Sequence, residues 1–199
     1  MNASDLECNI VANVQKKRSR LLNYFWKICS FFGLPYFWIL LGIIFLFLGN
    51  STIPILYLVL AISYGIIVVP LKLLIKRLRP SQKCDNVDSL TSKTKYSFPS
   101  GHTFIATSFG LVIGFYYEEI ILVIAMLFFG IIVGISRIYL GAHFLSDVFF
   151  SYIIAILVVS CIFYVVFPLM SRCNLLFKII IFCLSFFIYL KTFGSTMLV

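Results

Sequence analysis

Apolar residues along this chain come in long unbroken blocks rather than in short alternating stripes. Uncharged runs cover residues 28–71, 103–117, 120–136 and 148–171, and a last apolar run, 175–190, carries the single charge of Lys178; most are close to the length that crosses a bilayer as a helix. The first run is too long for one crossing and is interrupted by Gly49-Asn50-Ser51-Thr52-Ile53-Pro54, so it predicts two helices joined by a short polar turn. The pattern therefore predicts an all-α, polytopic membrane protein, a six-transmembrane-helix bundle over residues 31–195. Ahead of it, Ile10, Val14, Leu21, Phe25, Ile28 and Phe32 repeat on one helical face while Asn9, Asn13, Lys16, Arg20, Asn23 and Lys27 repeat on another. Residues 1–30 thus predict an N-terminal interfacial amphipathic helix that anchors the chain. No cleavable signal peptide is evident, and the first span itself is expected to direct insertion.

One substantial hydrophilic segment, residues 76–98, interrupts the bundle and predicts an extramembrane loop. Pro80 is expected to end the helix leaving span two, with Lys72 and Arg79 near the membrane boundary and about two turns apart. As the flexible segment beside the polar positions described below, the loop is the expected lid. No internal repeat or second domain follows.

Composition narrows the class. With 62% hydrophobic and 12% charged residues, the chain lies far outside the range of soluble globular domains. The formal charge of +9 comes mostly from cations just outside the hydrophobic runs, which points to anionic lipid headgroups and away from nucleic acid. The six cysteines, Cys8, Cys29, Cys84, Cys161, Cys173 and Cys183, show no metal-type spacing and read as small hydrophobes rather than a disulfide framework.

Against this background three polar islands stand out, and the number of spans between them places all three on one membrane face. The third is Ser136-Arg137-Ile138-Tyr139-Leu140-Gly141-Ala142-His143-Phe144-Leu145-Ser146-Asp147. Charge at a membrane helix end is costly and usually functional. His143 and Asp147 are one helical turn apart, so the carboxylate can hold one imidazole nitrogen protonated and leave the other free as a nucleophile. Arg137 adds a planar cationic fork suited to phosphate or carboxylate. The second island, Pro99-Ser100-Gly101-His102, opens a helix whose first amides can receive an anion, and Gly101 lets backbone approach a ligand. The first runs from Lys72 to Arg79-Pro80; by itself it could be an ordinary orientation signal after a span. The chain has only two histidines, and both fall in these islands on one face.

Lys72 with six residues before Arg79-Pro80, then Pro99-Ser100-Gly101-His102, then Ser136-Arg137 with five residues before His143 and three more before Asp147, resembles the three-part signature of the type-2 phosphatidic acid phosphatase (lipid phosphate phosphatase) superfamily. No motif position is substituted. The resemblance implies a phosphatase in which His143 is the nucleophile that forms a phosphohistidine and Asp147 orients it. It further implies that His102 protonates the leaving oxygen and then activates water. Lys72, Arg79 and Arg137, the Ser100 hydroxyl and the Gly101 amide would hold the phosphoryl oxygens. Such a set suits phosphoryl transfer, which asks mainly for fixed positive charge around the equatorial oxygens. No metal or other cofactor is expected, because the fixed cations take that role and no carboxylate cluster is present to bind one.

The expected substrate is an envelope lipid phosphate or diphosphate (undecaprenyl diphosphate, phosphatidylglycerophosphate, phosphatidate or a lipid A phosphate), with the bilayer itself as the other partner and no protein partner evident. A transporter or a non-catalytic phospholipid-binding protein using the same anion site is the alternative. A transporter predicts charges at several membrane depths, whereas these cluster at one face. A vanadate-dependent haloperoxidase shares the anion site but resembles large soluble proteins. Localisation is expected in a bacterial inner (plasma) membrane. The tail cations Lys16, Lys17, Arg18, Arg20 and Lys27 share the site's face, which by the positive-inside rule points to the cytoplasm. Resemblance to bacterial relatives points instead to the outer, periplasmic face, and that face is the expectation adopted.

Overall fold

In the computed structural model, which describes residues 3–91 and 95–168, helices follow one another with short connections. They are α1 (Ala3–Gln15), α2 (Arg20–Phe31), α3 (Pro35–Phe47), α4 (Thr52–Ser63), α5 (Val69–Ile75), α6 (Pro80–Lys83), α7 (Gly101–Tyr116), α8 (Ile120–Tyr139) and α9 (Leu145–Cys161). A π-helical turn, Tyr64–Val68, joins α4 to α5 without a break, and another, Ile162–Val166, continues α9.

Long apolar helices begin at Thr52, at Ile120 and at Leu145, each sufficient by length and composition to cross a bilayer; α2 and α3, bent by 51° at Phe32-Gly33-Leu34, reach that length and hydropathy only as a pair, so the described residues hold three candidate spans, or four if the bent pair is one. The bend is built locally. Pro35 opens α3 where its missing N–H costs nothing, and the Trp38 indole donates to the Phe32 carbonyl at 2.7 Å. The sixth expected span, 175–190, lies outside the described residues, as do Cys173 and Cys183.

The central helix is α7, which packs chiefly on α8 and then on α9 and α4. At 16 residues it is about 24 Å long, shorter than the hydrocarbon core, and it is buried along most of its length. Its neighbours approach closely because small residues line the contacts. A methyl group on Gly114 would lie 2.9 Å from Val123, and one on Gly134 of α8 would lie 2.5 Å from Val148 Cγ1 of α9. Below this, Trp38, Tyr57 and Phe109 form an aromatic core with ring centroids 4.8 to 5.9 Å apart. Outward positions such as Phe47, Leu74, Ile121 and Phe128 are exposed and apolar, which suits lipid contact.

The amphipathic stretch 6–32 divides into two helices, α1 and α2, rather than one. α1 folds across the end of the bundle, where Val11, with no exposure, packs in a small second core with Val87, Ile138, Phe144 and Val148. Cys8 of α1 and Cys84 at the end of α6 form a disulfide, with Cα atoms 5.8 Å apart. This corrects the reading of every cysteine as a small hydrophobe. The two are 76 residues apart in sequence, and only the docking of α1 brings them together. Cys29 and Cys161 are free. The loop is likewise pinned rather than loose. Gln15 and the Asp88 backbone exchange two hydrogen bonds of 2.9 and 3.0 Å, and Arg18 reaches the Asp88 and Tyr139 carbonyls. Pro80 does not end the helix leaving span two. Lys76, in the left-handed conformation with φ of 49°, ends it, and Pro80 starts α6.

Replacing Gly134 with leucine is expected to overpack the α8–α9 contact and destabilise the protein by about 1–3 kcal/mol in thermal unfolding in micelles. Ile132→Leu on the lipid-facing side of the same helix should leave the midpoint near wild type.

Candidate active site

Each island is shaped by how its helix starts or stops. α8 ends at Tyr139, and Gly141 takes φ of 73°, turning the chain back so that the Ala142 and His143 amides both donate to the Arg137 carbonyl at 3.0 and 3.3 Å. That turn sets His143 beside Arg137 across the five-residue spacer. Gly141 is also obligatory by contact, since a methyl group there would lie 2.4 Å from the Asp88 carbonyl. α9 then begins, and Asp147 in its first turn accepts the Phe144 N–H at 2.9 Å. His143 Nδ1 lies 3.6 Å from Asp147 Oδ2, just beyond hydrogen-bond distance, and is buried with no hydrogen-bond partner. Asp147 has no exposed side-chain surface, and His143 is 1% exposed.

At the second island Ser100 caps α7. Its hydroxyl pairs with Thr103 Oγ1 at 2.9 Å, and its amide donates to Ser151 Oγ of α9 at 2.6 Å. Gly101 is the first helical residue, close under the Tyr64 hydroxyl. His102 packs on Gly33, whose bend admits no side chain, since a methyl group there would lie 2.6 Å from His102 Cβ. At the first island Lys72 sits in the last turn of α5. Arg79, buried and extended, donates to the Ala142 carbonyl at 3.0 Å. Ser97 ties this segment to the second island, its amide and hydroxyl donating to the Arg77 and Leu78 carbonyls at 2.8 and 3.0 Å.

The three islands thus meet at one end of the bundle. Lys72, Arg79, Arg137 and His143 all lie within electrostatic range of His102. Arg137 is 5% exposed, and its guanidinium donates to Ser30 of α2. The site's carboxylates pair with Arg77 rather than with Lys72 or Arg137. Burial pushes the His143 imidazole well below its ordinary value. Arg79, Arg137 and Lys72 push the same way, opposed by the backbone of Ser97. The imidazole is therefore neutral at neutral pH. What the arrangement offers is a buried cationic pocket holding a neutral histidine, one nitrogen of which lies 3.6 Å from a carboxylate, with a second histidine nearby. Such a pocket suits a multiply charged anion with tetrahedral oxygens.

Sequence reasoning brought together the residues of the three motifs but passed over those that hold them. Arg77, between Lys72 and Arg79, binds Asp147 Oδ1 at 2.6 Å. Glu7 and Ser30 lie on helices read only as an anchor, yet Glu7 pairs with Arg77 and Ser30 with Arg137.

The family model described as the PAP2 superfamily matches residues 53–171, which include all three islands. Phosphatidylglycerophosphatase B of Haemophilus influenzae is 38% identical over 80 residues, covering 36% of this chain and 33% of that protein. Phosphatidylglycerophosphatase B of Bacillus subtilis is 34% identical over 88 residues, covering 39% and 40%. The match therefore spans two fifths or less of either curated relative. Among solved structures, a transmembrane PAP2-type phosphatidylglycerolphosphate phosphatase from Bacillus subtilis superposes with a TM-score of 0.71 at 23% identity, covering 88% of this chain and 90% of that one. LpxE of Aquifex aeolicus gives 0.65 at 28%, covering 75% and 90%. With its fold matched over most of its length and the family model spanning more than half of it, this chain belongs to the PAP2 superfamily.

Proposed function

We propose that this protein is an integral-membrane lipid phosphatase that removes a phosphoryl group from an envelope lipid through a phosphohistidine. The observation that carries this reading is the neutral, buried His143 beside Asp147 at 3.6 Å, within electrostatic range of Lys72, Arg79, Arg137 and His102.

Because Nδ1 faces Asp147, Nε2 is the nitrogen left to attack phosphorus. The bond from Nε2 to phosphorus forms as the bond from phosphorus to the lipid oxygen breaks. His102 supplies the proton that the leaving oxygen takes up. Attack makes the His143 ring cationic, and the Asp147 carboxylate stabilises that charge by accepting a hydrogen bond from Nδ1–H. Lys72, Arg79 and Arg137 neutralise the equatorial oxygens, with the first amides of α7 at Gly101 and the Ser100 hydroxyl beside them. In the second half, His102 takes a proton from water. The hydroxide equivalent attacks phosphorus, and His143 leaves as a neutral imidazole with free phosphate. The fixed cations supply the charge stabilisation that a metal would otherwise provide, so the reaction is read as metal-independent.

The reading takes the membrane domain as six spans over residues 31–195. A site at the helix ends meets a lipid headgroup at the surface while its tail stays in the bilayer. The curated relatives' names favour phosphatidylglycerophosphate as the first substrate to test, ahead of phosphatidate, undecaprenyl diphosphate and lipid A phosphates. The Cys8–Cys84 disulfide, at the same end of the bundle as the site, supports the outer face of a bacterial inner membrane, where such bonds persist.

Purified protein in detergent with a chelator present is expected to release phosphate from at least one of these lipids. His143→Ala should abolish turnover, and Arg137→Lys should lower kcat on the order of 100-fold, since an ammonium does not reproduce the guanidinium fork. Release that disappears with chelator, or that survives in His143→Ala, would overturn the mechanism. A cysteine introduced at Asn86 should react with a membrane-impermeant thiol reagent in intact cells; protection there would put the site in the cytoplasm.

A further inference from the structure

Asp147 can brace His143 only if its own carboxylate is fixed, and the group that fixes it lies outside the three motifs. Arg77 Nη1 donates to Asp147 Oδ1 and to Ser146 Oγ, both at 2.6 Å. Its Nη2 pairs with Glu7 of α1. The guanidinium lies over the Phe144 ring, 4.4 Å from its centroid. Glu7 is held in turn, its other oxygen accepting from the Ser146 amide and hydroxyl at the start of α9. Arg77 is thereby gripped on both amino groups and on one face.

With Oδ1 taken by Arg77 and Oδ2 taken by the Phe144 amide, the carboxylate cannot rotate, and Oδ2 stays directed at His143 Nδ1. The cations that act on the two histidines are Lys72, Arg79 and Arg137, whereas Arg77 acts on Asp147 from the opposite oxygen. α1 brings Glu7 to this point and is held there by the Cys8–Cys84 disulfide one residue away and by the Gln15–Asp88 hydrogen bonds at its other end.

We propose that Arg77, steered by Glu7 of the N-terminal helix, is a positioning residue for the Asp147–His143 pair, which makes α1 part of the catalytic apparatus rather than a membrane anchor alone. The proposal takes the phosphatase reading as its setting. Arg77 acts in two ways. It holds the carboxylate in the orientation that accepts a hydrogen bond from Nδ1–H, and its charge tempers the negative field that Asp147 exerts on the imidazole.

The second effect gives a readout that simple structural support would not move. His143 is faced by Lys72 from α5, Arg79 from the following segment, His102 from α7, Arg137 from α8 and Asp147 from α9. Removing the Arg77 charge leaves those cations in place but frees Asp147 to favour the imidazolium, so the protonation midpoint of His143 rises. The acid limb of kcat/KM moves to higher pH with it.

The test compares wild type, Arg77→Gln, Arg77→Lys and Glu7→Gln as full-length protein in micelles. The kinetic readout is kcat and KM on the lipid that wild type hydrolyses. The second readout is 15N NMR titration of the imidazoles, which is simple because the chain has only two histidines. In Arg77→Gln, kcat should fall by roughly 10- to 100-fold with KM within about twofold, the pattern of a lost transition-state support. The His143 midpoint should rise by about one pH unit, the scale of a single nearby charge. Arg77→Lys should recover part of both, and Glu7→Gln should shift both in the same direction by less. If Arg77→Gln does not fold, Glu7→Gln carries the comparison. An unmoved His143 midpoint overturns the proposal whatever the activity, and so does a loss confined to KM. A wild-type protein that hydrolyses no lipid would remove the phosphatase reading, while the midpoint would still decide whether Arg77 governs the pair.

Discussion

A carboxylate with no exposed surface is tolerable only where its charge is met on every side, and Asp147 is such a group. It is satisfied by a guanidinium on one oxygen and by a helix-opening amide on the other, with an imidazole within reach. Removing one partner from a buried ion pair typically costs about 3–5 kcal/mol, because the remaining charge is stranded. Much of this end of the molecule can be understood as what is needed to keep that one group in place. The start of α9 supplies the amide, the connecting segment after α5 supplies Arg77, and α1 supplies the acid that holds Arg77.

The same packing explains how three more cations can sit together. Arg79 and Arg137 are each nearly buried, and like charges so close repel unless each is anchored. The anchors are neutral: the Ala142 carbonyl for Arg79 and the Ser30 hydroxyl for Arg137. Neutral partners hold the side chains in position without cancelling their charge, which leaves a positive pocket for an anion. The site's carboxylates form their ion pairs with Arg77, while Asp147 also acts at longer range on Lys72 and Arg79. Division of labour among four cations, one structural and three facing the pocket, is the electrostatic logic of the site.

The surrounding bundle contributes rigidity. α7, enclosed by α8, α9 and α4 through glycine-lined contacts, carries Ser100, Gly101 and His102 at its first turn, where backbone donors and fixed geometry coincide. The loop and α1 close over this end, joined by a disulfide and by paired hydrogen bonds. A segment fastened at several points is a roof over the site more than a swinging lid.

The helical class, the limits of most of the described helices, and the gathering of three polar islands at one end of the bundle were legible in the sequence. Each rests on a local rule: long apolar runs must be helical in lipid, and successive crossings alternate sides. Lys72, Arg79, His102, Arg137, His143 and Asp147 were legible for a related reason, since ionisable groups are scarce in so apolar a chain and their spacing matches a known signature. The partners of those residues were not. Glu7 and Arg77 are 70 residues apart, Ser30 and Arg137 are 107 apart, and Cys8 and Cys84 are 76 apart. Nothing in the local pattern distinguishes Glu7 from an ordinary surface acid, Arg77 from an orientation signal or Cys8 from a small apolar residue. Their roles arise from the docking of α1 on the bundle end, a contact between distant segments whose energy lies in packing and buried charge rather than in any periodicity of the chain.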